Sequence, residues 1–234
     1  MCGRFMLKSP VDEIASFFGI DPSSALHPRY NIAPSQEAAI IRSTSGGGRR
    51  LAFATFGLVP HWAEDPKVGY KMINARAETI DSLPSFRDAY RRRRCLVPAD
   101  GFFEWQIVDA TGQGPKQPYS IRRVDEKPFA FAGIHERWEA KHGGRIIESF
   151  AIVTTQANRT LAAIHPRMPV VLDAERGEQW LDTSIDGCAL LKPCPEDWLV
   201  ATMVGTRVNK PANDDPSVLE PTDRPITPAQ GSLF

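Results

Sequence analysis

Apolar residues fall in short runs along most of this chain, and the runs read as strands. Residues 38–42 form one such run. Residues 43–50 follow with three successive glycines, which reads as a hairpin tip, and residues 51–58 return as a second strand. Strand-like segments recur at 95–98, 101–107, 119–122, 129–132 and 146–154. Helical spacing is rarer. Ser9 is placed to cap a helix, Pro10 suits its first turn, and Asp12 and Glu13 favour the positive end of its dipole. Ile14, Phe17 and Phe18 supply its apolar face and Gly19 its end. Three further helices are expected near 84–92, 157–164 and 174–181. Strands dominate and helices are scattered between them, without the regular alternation of a parallel α/β fold. The expected class is therefore α+β: a single domain with a mostly antiparallel sheet or open β-barrel-like core and helices packed outside. Residues 1–210 form the domain. From Gly205 onward five prolines interrupt any apolar period, so residues 211–234 read as a surface strap and mobile tail.

Composition narrows the function. The chain has 234 residues, 42% of them hydrophobic and 24% charged, and a formal net charge of zero. It therefore lacks the overall basic surplus of many nucleic-acid binders. The charge is uneven, however: residues 1–100 hold 14 Lys/Arg against 10 Asp/Glu, and residues 195–234 hold 3 against 6. A local basic groove is compatible with that asymmetry. The four cysteines, Cys2, Cys95, Cys188 and Cys194, form no Cys-x-x-Cys pair and have no His pair beside them, so neither a zinc site nor a disulfide scaffold is expected. Cys95, Cys188 and Cys194 read as small buried residues. No apolar run approaches the roughly 20 residues that a membrane span requires, and the first residues lack a signal peptide's apolar core. A reducing cytoplasm is the expected location, with no cofactor and no metal.

Cys2 carries the most chemistry. Initiator methionine is usually removed before a small residue, which would leave Cys2 with a free α-amine beside its thiol. Such an amine titrates near 7.7–8.0, so about a tenth is neutral at pH 7. A neutral amine attacks an aldehyde to give an imine, and the thiolate then closes a five-membered thiazolidine. Arg4 is expected to lower the thiol's pKa. Three other segments set polar or titratable residues among small or aromatic ones: Asn74-Ala75-Arg76-Ala77-Glu78, Gly101-Phe102-Phe103-Glu104-Trp105 and His165-Pro166-Arg167-Met168-Pro169. The run Arg91-Arg92-Arg93-Arg94 reads either as a nucleic-acid patch or as a solvated face. His27, His61, His135 and His142 show no partner pattern, and Lys210 with Asp214-Asp215 reads as surface.

These segments, together with Met1-Cys2-Gly3-Arg4-Phe5, Arg29-Tyr30-Asn31-Ile32-Ala33-Pro34, Gly57-Leu58-Val59-Pro60-His61-Trp62, Pro98-Ala99-Asp100 and Thr154-Thr155, resemble the SRAP domain (SOS response-associated peptidase) from Cys2 to about Asn209. Phe56 departs from the family, which often has Trp before the glycine. The resemblance implies shielding of abasic sites in single-stranded DNA, with Cys2 as the nucleophile. Asn74 would orient the Cys2 amine and the sugar. Glu104 would be the general acid/base, with a pKa raised by its aromatic neighbours. His165 would protonate the sugar oxygen and help open the closed hemiacetal. Arg4, Arg76 and Arg167 would clamp phosphates, Thr154 would add a hydroxyl contact, and Pro34 and Trp62 would wedge against or stack on bases. The implied partner is abasic single-stranded DNA, so the protein would be nucleoid-associated when bound. A monomer suffices because one covalent event needs one site. A thiol peptidase using Cys2 and His165, with Met1 removal as its clearest use, is the alternative. A non-covalent single-strand binder is a third reading.

Overall fold

The computed structural model describes residues 2–22, 26–44, 46–109, 114–141 and 143–226. Along the chain the elements are β1 (Arg4–Leu7), α1 (Val11–Phe18), β2 (Arg29–Ile32), β3 (Glu37–Ser43), β4 (Arg49–Phe56), β5 (Asn74–Arg76), α2 (Arg87–Arg92) and β6 (Arg94–Ala99). They continue as β7 (Gly101–Ile107), β8 (Lys116–Arg123), β9 (Phe129–Glu139), β10 (Ile146–Gln156), α3 (Arg159–Ala162), β11 (Arg167–Pro169), β12 (Val171–Leu172), α4 (Ala174–Leu181) and β13 (Leu199–Met203). The class is α+β, as the pattern of short runs implies. One sheet has the order β13-β8-β7-β1-β2. In the other, β3, β4, β10, β9 and β6 pair in a ring, which the single register pair Ile41↔Leu96 between β3 and β6 closes. Phe5, Phe56, Phe102, Phe129, Phe131 and Phe150 fill the core, most of them in edge-to-face contacts.

The chain passes from the ring to the second sheet at Asp100, between β6 and β7. Its buried carboxylate accepts from the backbone N–H of Lys8 and Ser9, at 2.5 and 2.8 Å, and from the Ser9 hydroxyl at 2.5 Å. Ser9 therefore does not cap α1, contrary to the sequence expectation, because Asp100 takes its hydroxyl. Pro10 stands at the start of α1, and Gly19 ends it in the left-handed region with φ 63°.

The β4–β5 loop leaves and rejoins the ring through a narrow neck. A Cβ on Gly57 would lie 2.5 Å from the Gly69 carbonyl oxygen, and φ at Gly57 is 128°. Only glycine fits that close approach and that conformation. Beyond the neck, β5 continues along β10 where β4 stops: Phe56 faces Phe150, and Asn74 faces Ile152. Phe56 is fully buried and stacks on Phe150 at 5.1 Å, so the departure from Trp is a matter of core packing.

Two expectations for charged residues change. Arg94 is buried between Tyr90 and Trp180, with its guanidinium 4.7 and 5.0 Å from the ring centroids. Arg93 pairs with buried Glu136 at 2.6 Å, which also holds His61 Nδ1 at 3.1 Å. Of the four-arginine run, Arg91 and Arg92 remain exposed. Asp214 is not mere surface: its carboxylate accepts from the amides of Tyr30 and Asn31 and pairs with Arg29. Residues 205–226 lie across β1 and β2, and Val204, Val208 and Val218 pack with Met6 and Phe103 as a second small core. Cys95 and Cys194 are buried as expected, but Cys188 is exposed on a short 3-10 turn, where its amide donates to Asp186. His142 and residues 227–234 lie outside the described residues.

Candidate active site

Cys2 immediately precedes β1 and is buried in the core. Its carbonyl oxygen accepts from Asn74 Nδ2 at 3.0 Å. Asn74 opens β5, and its Oδ1 is buried without a hydrogen-bond partner among the described residues. A buried amide oxygen of this kind is an acceptor waiting for a donor. Arg4 and Phe5 pair with Phe103 and Phe102, which brings Cys2 toward Glu104 on β7.

Glu104 is buried, and burial raises its carboxyl pKa; the positive charge of His165 opposes the rise. Burial also pushes the Cys2 thiol well above its ordinary range, and the Glu104 charge adds to the effect. This corrects the expectation that Arg4 lowers it. The Arg4 guanidinium is turned elsewhere: it donates to Asn31 Oδ1 at 2.9 Å and to the carbonyls of Val208 and Asn209 at 2.8 and 3.1 Å. It also lies 5.9 Å from the Trp105 ring centroid.

An open cleft of about 480 Å³ is lined by Arg4, Glu104, Trp105, Lys116, His165 and Asn209. His165 follows α3. Its Nδ1 faces the Arg167 amide at 3.0 Å. An N–H aimed at Nδ1 makes that nitrogen the acceptor, so the proton of the neutral imidazole sits on Nε2.

Arg167 forms the next layer. Its guanidinium binds both Glu78 oxygens, at 2.8 and 3.0 Å, and donates to the Thr154 carbonyl at 2.6 Å and hydroxyl at 3.2 Å. Thr154 is therefore fully buried beneath Arg167. Arg76 faces Thr154 in register, and its side chain is exposed, with no hydrogen bond or ion pair among the described residues. Arg4, Glu104 and His165 thus share one cleft, Cys2 and Asn74 adjoin Glu104, and Thr154, Arg76 and Arg167 stand beside His165. Pro34 and Trp62 lie apart from this cluster. Pro34 precedes Ser35, whose amide donates to Phe56, and Trp62 is 52% exposed on the β4–β5 loop. Lys116, Asn209 and Asn31 were missed as site residues. Asn31 stood inside a recognised segment, but the other two carried no local signal.

Fold and site together define a protein organised around a cysteine at position 2, set at the junction of a strand ring and a second sheet. The family described as SOS response associated peptidase (SRAP) matches residues 1–211, and the chain belongs to that family. The chain is 42% identical over 227 residues to the abasic site processing protein YoqW of Bacillus subtilis (strain 168), covering 94% of this chain and 99% of that one. It is 28% identical to the abasic site processing protein HMCES of Xenopus tropicalis, covering 84% of this chain and 67% of that one. A crystal structure of a protein from Bacteroides thetaiotaomicron superposes with TM-score 0.83 at 29% identity, over 94% of this chain and 100% of that one.

Proposed function

We propose that this protein captures abasic sites in single-stranded DNA as a thiazolidine on Cys2 after Met1 is removed. The observation that carries the reading is the buried grouping of Cys2, Asn74 and Glu104 behind the cleft lined by Arg4 and His165. His165 Nε2–H donates to the ring oxygen of the closed sugar and helps free the C1′ aldehyde. The Cys2 amine adds to that aldehyde, and water leaves as the imine forms. Glu104, kept protonated by burial, supplies the proton that the departing hydroxyl needs. The Cys2 thiol gives up its proton as sulfur bonds to the imine carbon, and the ring closes with net loss of one water. The imine also acidifies C2′–H, so β-elimination competes and gives lyase-like strand scission. Arg76 and Arg167 hold backbone phosphates, the latter by exchanging Glu78 for a phosphate of the same bidentate geometry. Pro34 and Trp62 meet the flanking bases.

A thiol peptidase needs a thiolate, and burial beside Glu104 favours the neutral thiol. Peptidase chemistry is therefore confined to removal of Met1. Intact-protein mass spectrometry with an oligonucleotide carrying one abasic site tests the reading. The expected product is a chain beginning at Cys2 that carries the DNA mass less one water, and Cys2→Ala gives none. Retention of Met1 with no adduct rejects it.

A further inference from the structure

Glu104 and His165 lie on different elements, yet the cleft requires them at a set separation. One side chain spans the two. Gln106 lies two residues beyond Glu104 on β7, so both side chains leave the same face of the strand. Its Nε2 donates to the Ala163 carbonyl at 2.9 Å, two residues before His165. Its Oε1 accepts from the Tyr119 hydroxyl at 3.1 Å. Tyr119 is the cross-strand partner of Glu104, so it shares that face as well. The Tyr119 hydroxyl thereby fixes which end of the amide faces the loop. The far side of the same loop is tied separately. Asn158 Nδ2 donates to the Cys194 carbonyl at 3.2 Å, and Thr160 Oγ1 donates to the Glu196 carbonyl at 2.8 Å. The His165 amide in turn donates to Leu161 at 3.0 Å, so the imidazole follows wherever this loop is pinned.

We propose that Gln106, oriented by Tyr119, is a positioning residue for His165. It sets the imidazole against Glu104 so that Nε2 reaches the ring oxygen of a closed abasic sugar. It touches no reacting atom and acts through the backbone between Ala163 and His165. The proposal rests on the abasic-site reading above. It also separates two steps of that reaction: sugar opening depends on His165, whereas capture of an aldehyde that is already open does not.

Two oligonucleotides make the test. One carries a natural abasic site, mostly closed as a hemiacetal. The other carries an acyclic aldehyde at the same phosphate spacing, without the hydroxyl that closes the ring. Single-turnover capture is measured across pH for wild type, Gln106→Leu, Gln106→Glu and Tyr119→Phe. Gln106→Leu removes both hydrogen bonds at similar volume. It is expected to slow capture of the natural site about tenfold, the effect of losing one well-placed hydrogen bond, and to shift the pH limb that His165 sets. Capture of the acyclic aldehyde should change less than about twofold. Gln106→Glu keeps the acceptor for Tyr119 but places oxygen against the Ala163 carbonyl, and should be as slow as Gln106→Leu. Tyr119→Phe, which keeps the Ala163 bond, should be milder. Equal slowing on both oligonucleotides, or none on the natural one, overturns the proposal. Failure of the wild type to capture either oligonucleotide overturns the abasic-site reading itself, and the proposal falls with it.

Discussion

Asn31 links the strap to the site, and its removal has a calculable cost. The side chain is fully buried on β2. Its Nδ2 donates to the carbonyls of Val208, Lys210 and Asn213 at 3.1, 3.1 and 2.9 Å, and its Oδ1 accepts from Arg4 at 2.9 Å. Asn31→Ala deletes all four contacts. Each contributes about 1 kcal/mol net, and a buried group left unpaired costs about 1–3 kcal/mol more. Water entering as the strap lifts recovers part of this, so the expected loss is about 3–5 kcal/mol. For a chain of this length that lowers Tm by about 10 °C. The loss should be local first. Amide hydrogen exchange should accelerate across residues 206–219, where the short 3-10 turns depend on this anchor. Capture of abasic DNA should slow too, because Asn209 lines the cleft and accepts from Trp105 Nε1 at 2.8 Å. Asn213→Ala, which removes an exposed side-chain bond to Arg207, is the control and should cost less than about 1 kcal/mol. A loss for Asn31→Ala below about 1 kcal/mol, with strap exchange unchanged, refutes the reasoning.

Glu104→Gln should abolish acid/base assistance and slow capture by at least about a hundredfold. It should also stabilise the fold at neutral and higher pH. The folded carboxyl holds its proton above the unfolded value, so wild-type stability falls as pH rises through the folded pKa. Melting curves from pH 4 to 8 check this, and a variant that melts like wild type throughout contradicts it. His135 shows the opposite linkage. Burial, aided by the charges of Arg42, Arg93 and Arg50, lowers its pKa to about 4. Its neutral form stabilises the fold above about pH 6.5, and that contribution is lost as pH falls toward 4, a change of about 3 kcal/mol. His135→Gln should flatten this acid limb in denaturant titrations, and a limb that persists unchanged assigns it to another group.

The chemistry of the site was legible in the residues before the fold was known. Cys2, Asn74, Glu104 and His165 are rare types in polar-among-apolar settings, and those settings survive any reading of the topology. Strand β7 and helix α4 have the bounds that the pattern predicts, because each carries a complete local signal. Strands β1, β2, β5 and β13 did not announce themselves. They are three to five residues long and are strands because of partners far away in sequence, as Asn74 is opposite Ile152. Helix α3 shrank to four residues because its loop is held by side chains from elsewhere, not by its own periodicity.

The sequence by itself determined the residue types, the class of fold and the aldehyde chemistry open to an exposed Cys2 amine and thiol. Tertiary structure decided their electrical state and their partners. Burial beside Glu104 raises the Cys2 thiol, whereas adjacency to Arg4 suggested the reverse. Ser9 was drawn from a helix cap to Asp100, Arg94 from a basic run into a Tyr90–Trp180 sandwich, and Asp214 from the surface to the amides of β2. The physical reason is the same in each case. Charge and hydrogen bonding depend on distance and solvent exposure, and those are set by residues 90 or more positions away that no local pattern encodes.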